Sequence, residues 1–151
     1  MYDFVNNYKI GYFQQAVSDA AAAAANAPDD DGIDLWADNQ LPNSFILIAD
    51  VGSVGSGGTL DIIVQDSPDQ STWDADFITF DQIDEAGLYY YMVPDPMRYV
   101  RLNVTVGTDA VLWSALYLTF ENQRRPVTQQ GTALTATFGT GRVGKVGGAI
   151  D

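Results

Sequence analysis

Residues 99–106, Tyr-Val-Arg-Leu-Asn-Val-Thr-Val, restrict the possible folds of this chain more than any other stretch. Tyr99, Arg101, Asn103 and Thr105 alternate with Val100, Leu102, Val104 and Val106. A two-residue period sends one row of side chains into a core and the other into solvent or against a partner. Apolar-rich segments flank the stretch beyond a Pro94-Asp95-Pro96 turn and a Gly107-Thr108-Asp109 turn. The expected fold is all-β, a jelly roll or β-sandwich of about eight antiparallel strands with turn signals at all-β spacing.

The remaining strands are read from the same signals. IDLW and FILIADV flank Pro42-Asn43, and Gly52–Gly58 reads as a flexible hairpin tip. Leu60, Ile62 and Val64 alternate along the next strand, where Ile63 breaks an otherwise polar outward row. A loop, the strand FITF and the turn DQIDEAG follow. Three consecutive tyrosines, Tyr89 to Tyr91, must point to both faces of a strand, so at least one lies away from the core.

Residues 20–25 are all alanine, and Ser18 or Asp19 is suited to cap a short helix there. Six alanines make only a marginal helix, so a small-residue edge strand or ordered loop is the alternative. Three regions result: an N-terminal arm or edge strand over 1–17, a β domain over 18–121, and a Gly/Thr-rich C-terminal extension over 122–151.

Composition removes whole classes of chemistry. The 151 residues include neither cysteine nor histidine. Disulfides, Ser-His-Asp and Cys-His nucleophile systems and the usual zinc sites are therefore excluded. No run approaches the ~20 apolar residues of a membrane span. The opening MYDFVNNYKI lacks the basic and apolar regions of a secretory signal.

Residues 1–121 hold 19 Asp/Glu against Lys9, Arg98 and Arg101, a net of −16, and residues 122–151 carry a net of +3. Such a body repels nucleic-acid phosphates, whereas its basic extension suits an acidic surface, including that of another copy. On this basis Arg124, Arg125, Phe138, Arg142 and Lys145 are the candidate partner-contact residues. Leu134 and Phe138 are the only large anchors in an extension that reads as an arm ordering on a partner.

Other constellations favour no chemistry. Asp29, Asp30, Asp31 and Asp34 surround Gly32, but the bidentate glutamate of a calcium loop is missing at the required spacing. Asp74, Asp76, Asp81 and Glu85 form an acidic set without any other part of a glycosidase site. Asn103-Val104-Thr105 matches a glycosylation sequon inside a strand, and the glycines around Gly141 lack a Gly-Lys-Ser/Thr. Trp36, Trp73 and Trp113 have the makings of a sugar-stacking platform, with Trp113 better suited to the core. No enzyme activity, metal or cofactor is expected.

Three segments carry a family resemblance: LDIIVQDSPDQSTWD, GLYYYMVPDPMRYVRLNVTVG and VLWSALYLTF. With Gln65 to Ser67, Pro94-Asp95-Pro96 and Arg98 to Val106 in the matching positions, the chain resembles the capsid cement (decoration) proteins of short-tailed bacteriophages over about residues 12–120. The resemblance implies a jelly-roll virion protein on the outer capsid surface, made in the host cytoplasm. Its implied partners are the major capsid protein and further copies of itself, as a homodimer or homotrimer, with no direct nucleic-acid or membrane contact. The insert DDDGIDLWADNQ and the extension after residue 121 depart from that pattern. WDADFITF and the Arg98–Leu102 strand also resemble discoidin-like carbohydrate-binding jelly rolls, and a head-fibre or tail-associated subunit would share the fold class.

Replacing Val104 with Asp is expected to abolish folding, because the carboxylate would be buried without a partner. Circular dichroism and solubility check this. A soluble, native-like variant would show that the other row faces the core.

Overall fold

The computed structural model describes residues 8–21, 23–36, 42–120, 132–133 and 136–138. The strands are β1 (Tyr8–Asp19), β2 (Ala24–Ala27), β3 (Ile33–Asp34), β4 (Ser44–Val54), β5 (Leu60–Ser67) and β6 (Asp74–Phe80). They continue with β7 (Gly87–Pro94), β8 (Tyr99–Val106), β9 (Val111–Phe120), β10 (Thr132–Ala133) and β11 (Ala136–Phe138). Among the described residues there is no helix. The last two alanines of the run, Ala24 and Ala25, open β2, an edge strand that bonds β8 from Ala24↔Thr105 to Ala27↔Leu102.

The strands pair from the outside inward: β1 with β9, β2 and β3 with β8, β4 with β7, and β5 with β6, all antiparallel. Contacts of β4 with β9 and of β5 with β8 then join these pairs into two sheets. Sheet A has the order β1-β9-β4-β7 and sheet B the order β6-β5-β8-β2, with β3 beside β2 on the same edge of β8. A long hairpin of nested pairs wound into two facing sheets is the jelly roll, so the expected fold class holds.

Among β1–β9, only β5 and β6 are chain neighbours that pair directly. The glycine-rich segment after β4 is therefore not the hairpin tip that its composition implies. It carries the chain from sheet A to sheet B, alongside the β8–β9 connection. Gly55 N–H donates to Ala110 O and Gly107 N–H to Thr59 O, both at 2.8 Å. A side chain on Gly58 would come within 3.1 Å of the Asp109 carbonyl, which accounts for glycine at this close approach.

The core lies between the sheets. Phe45, Leu47, Ala49, Val51, Val111 and Ala115 of sheet A face Leu60, Ile62, Val64, Val100, Leu102 and Val104 of sheet B, all buried. Phe13 packs against Phe45 and Tyr117, with ring centroids 5.9 and 5.4 Å apart. Trp113 is also inside, where its Nε1–H donates to Asp19 at 2.9 Å. Tyr89 and Tyr91 pack on the core, and Tyr90 alternates outward. Truncating one of the largest of these side chains to alanine typically costs about 2–5 kcal/mol.

The described parts of the C-terminal extension pair with the body. β10 runs parallel to β7 (Thr132↔Tyr89, Ala133↔Tyr90), and β11 runs antiparallel to β6 (Ala136↔Phe80 to Phe138↔Ile78). β10 thus extends the edge of sheet A and β11 the edge of sheet B, next to the strands whose Phe80 and Tyr91 meet edge to face at 5.2 Å. Within the segment expected to order on a partner, Thr132–Ala133 and Ala136–Phe138 pair with strands of the body.

Removing residues 122–151 is expected to leave β1–β9 folded, because the described core residues run from Phe13 to Tyr117. The edges of β6 and β7 would then be exposed, lowering the melting temperature and promoting concentration-dependent association. Thermal melts and light scattering of the truncated chain check both effects. Loss of cooperative folding would place the extension within the structural core.

Candidate functional site

The outer surfaces of the two sheets differ in chemistry. Sheet B presents the polar row of β8. Asn103 donates to Asn26 at 2.9 Å, and Asn26 donates to Asp30 at 2.6 Å. Gln82 donates to both carboxylate oxygens of Asp61 at 3.1 Å. This is the ordinary outer face of an antiparallel sandwich, polar and hydrogen-bonded.

Arg98 and Arg101 fasten loops to that face. Arg101 Nε donates to Gln65 Oε1 at 2.8 Å and Nη1 to Asp30 O at 2.9 Å, with its guanidinium 4.2 Å from the Trp73 ring centre. Trp73 in turn covers Gly32, whose φ of +70° and lack of a side chain make room for the ring. Arg98 forms a fork on Asp34, Nε to Oδ1 at 3.1 Å and Nη2 to Oδ2 at 2.8 Å, and lies against Trp36 and Tyr99. The hydrogen bonds from Arg98 hold the Asp34 carboxyl below its ordinary value of 3.8.

The acidic groups singled out in the sequence serve local structure. Asp29 accepts from the N–H groups of Asp31 and Gly32, both at 3.0 Å, and Asp34 is taken by Arg98. Among the described residues no group of three or more carboxylates is placed to hold a metal ion. Asp74 and Asp76 open β6, whereas Asp81 and Glu85 follow its far end, about 20 Å away at ordinary strand rise. That separation prevents all four from converging on one bond. The motif residues are structural too. Gln65 donates to Ala75 O at 3.0 Å, and buried Asp66 accepts from Met97 N–H at 2.8 Å beneath the Pro94–Pro96 turn. The three tryptophans do not form one platform: Trp113 is in the core, while Trp36 and Trp73 sit beside different arginines.

Sheet A departs from the alternating pattern. Its outward positions align Ile10, Leu118, Ile46 and Met92 in one row across all four strands. Tyr12, Leu116, Ile48 and Tyr90 form the next row. Leu88 and Leu112 extend the patch along the strands, beside Asp50 and Ser114. Ile10 is 61% exposed, Tyr12 56%, Leu88 43% and Leu112 40%. Ile46 is buried at the centre of the patch without belonging to the core cluster. Ten apolar side chains thus share one outer face, four of them exposed, a grouping unlike single scattered apolar residues.

The sequence reading placed partner contacts elsewhere. Phe138 lies in β11, and Arg124, Arg125, Arg142, Lys145 and Leu134 fall outside the described residues. The sheet A face was missed, although its signal is present. FILIA in β4 and ALYL in β9 are continuously apolar, where a half-solvated strand alternates. Comparison with protein-family models, characterised proteins and solved structures finds no match.

Asp34→Asn is expected to cost about 0.5–1 kcal/mol at neutral pH, the usual scale for a partly exposed ion pair. Because the folded-state carboxyl titrates below 3.8, its contribution is complete above that value and is lost as pH falls through the depressed one. Urea unfolding of both proteins should show a stability gap that closes in acid. A gap independent of pH would mean that the charge of Asp34 is not what stabilises the loop.

Proposed function

We propose that this chain is a structural virion protein that binds the outside of a bacteriophage capsid and cements contacts between major capsid protein subunits. The observation that carries the reading is the one-sided sandwich. One outer sheet face is polar and internally bonded, and the other is apolar across four strands. A body of this kind is made to be covered, and it needs neither cofactor nor catalytic group to work. The segments that carry the family resemblance form β5 and β7–β9, at the centre of the jelly roll. The basic residues of the extension, Arg124, Arg125, Arg142 and Lys145, are the proposed contacts to an acidic shell surface. Repetition over a lattice turns weak contacts into firm attachment through effective concentration.

A carbohydrate-binding role is the second reading. Its support is Trp36, 46% exposed and backed by Arg98, since an exposed ring on a rigid mount suits stacking on a sugar.

Co-sedimentation with shells assembled from the cognate major capsid protein separates the two. Cementing predicts saturable, stoichiometric binding, a higher shell melting temperature, and weaker attachment after removal of 122–151. Absence of shell binding, with Trp36-dependent retention on a glycan array, would replace the first reading with the second.

A further inference from the structure

We infer that the cavity between the edge strands β1 and β2 binds a free linear aliphatic amine, held as its ammonium ion. The inference draws on neither the apolar face of sheet A nor a shell, so it stands apart from the proposed function.

Side-chain size opens the cavity. β1 and β2 are the edge strands of sheets A and B on the same flank of the sandwich. β2 directs Ala25 and Ala27 inward, opposite Val104 and Leu102, and Ala23 continues their row where its carbonyl accepts from Val106 N–H at 2.8 Å. Three alanines cannot fill the space that larger side chains fill elsewhere between the sheets. They leave about 200 Å³, bounded also by Val17, Val104, Val106 and Trp113. Ala25 is exposed although it points inward, so the space opens to solvent. An apolar cavity of ~150 Å³ takes up benzene, so this one has room for an alkyl chain of several carbons.

The polar groups around the cavity ask for a donor. Trp113 Nε1–H is already given to Asp19 Oδ2 at 2.9 Å, and the Gln14 amide nitrogen donates to Gln15 O at 3.0 Å. What remains in the lining is Asp19 Oδ1 and the Gln14 carbonyl oxygen, both acceptors. Among the described residues no cation pairs with Asp19. Arg98 and Arg101 lie with Asp34 and Asp30, and Lys9 stands at the opposite end of β1. An ammonium group supplies three N–H donors and the missing positive charge. A cleft with apolar walls in a body of net −16 concentrates negative potential, which selects a cation over a neutral alcohol.

Hexylammonium, titrated into the isotope-labelled full chain and followed by NMR, tests the inference. The Trp113 indole N–H resonance should shift saturably at about millimolar concentration, while those of Trp36 and Trp73 stay in place. Asp19→Asn keeps an oxygen for Trp113 and removes the charge. It should weaken hexylammonium binding at least about tenfold and leave hexanol binding unchanged. Ala25→Leu puts a larger side chain into the cavity and should abolish the shift while holding or raising the melting temperature. Both variants should keep the wild-type circular dichroism spectrum, so that a lost shift reports the site rather than the fold. No Trp113 shift, equal affinity for hexylammonium and hexanol, or binding unaffected by either substitution would overturn the inference. Tighter binding of Nα-acetyl-lysine methylamide than of hexylammonium would overturn the free amine as occupant and assign the cavity to a lysine side chain.

Discussion

A wound β-sandwich holds together only while the inward rows of its two sheets stay pressed against each other. Here that contact runs between Phe45, Leu47, Ala49 and Ala115 on one side and Ile62, Val64, Leu102 and Val104 on the other. Nearly every connection carries the chain across to the opposite sheet, so few strands gain a hydrogen-bonded partner from a near neighbour in sequence. The core must therefore form over long sequence distances, and the polar fasteners complete the order it imposes. Arg101 joins groups 36 and 71 residues away in sequence, and Asp66 reaches 31 residues to the β7–β8 turn. Asp66 acts where the chain passes from sheet A to sheet B, whereas Arg101 holds the β2–β3 and β5–β6 connections against the outer face of sheet B.

The sequence made the inward rows readable because a two-residue period is a local property. Val104 inside, Arg101 outside and the split orientation of Tyr89 to Tyr91 could all be read from spacing. Which sheet a strand joins is not a local property. The glycines between β4 and β5 suit a hairpin and a sheet-to-sheet crossing equally well, and only the distant Asp109–Ala110 backbone selects the crossing. The alanine run was similarly balanced between helix and strand until pairing with β8 decided it. The Asp34–Arg98 fork was hidden for the same reason, its partners lying 64 residues apart.

The apolar face of sheet A is an intermediate case. A run such as Phe45-Ile46-Leu47-Ile48-Ala49 announces a strand with apolar groups on both sides. A strand in the middle of a multilayered core and one at the surface of an assembling subunit produce the same run. Pairing separates them, since Ile48 and Leu116 share an outward row with Tyr12 and Tyr90, and none of the four belongs to the described core cluster. Sheet B, built from the same chain and equally central to the fold, keeps a polar outer row on β8 and admits Ile63 beside Asn103. The contrast between the sheets, more than any single residue, supports a body that works while covered on one side.

Carbene footprinting of side chains, comparing dilute protein with the concentrated or shell-bound form, tests this asymmetry most directly. Ile10, Tyr12, Ile48, Leu88, Leu112 and Leu116 should lose labelling on assembly, while Thr105 and Asp61 on sheet B keep theirs. Unchanged labelling on sheet A, or protection confined to sheet B, would contradict the assignment of the working surface.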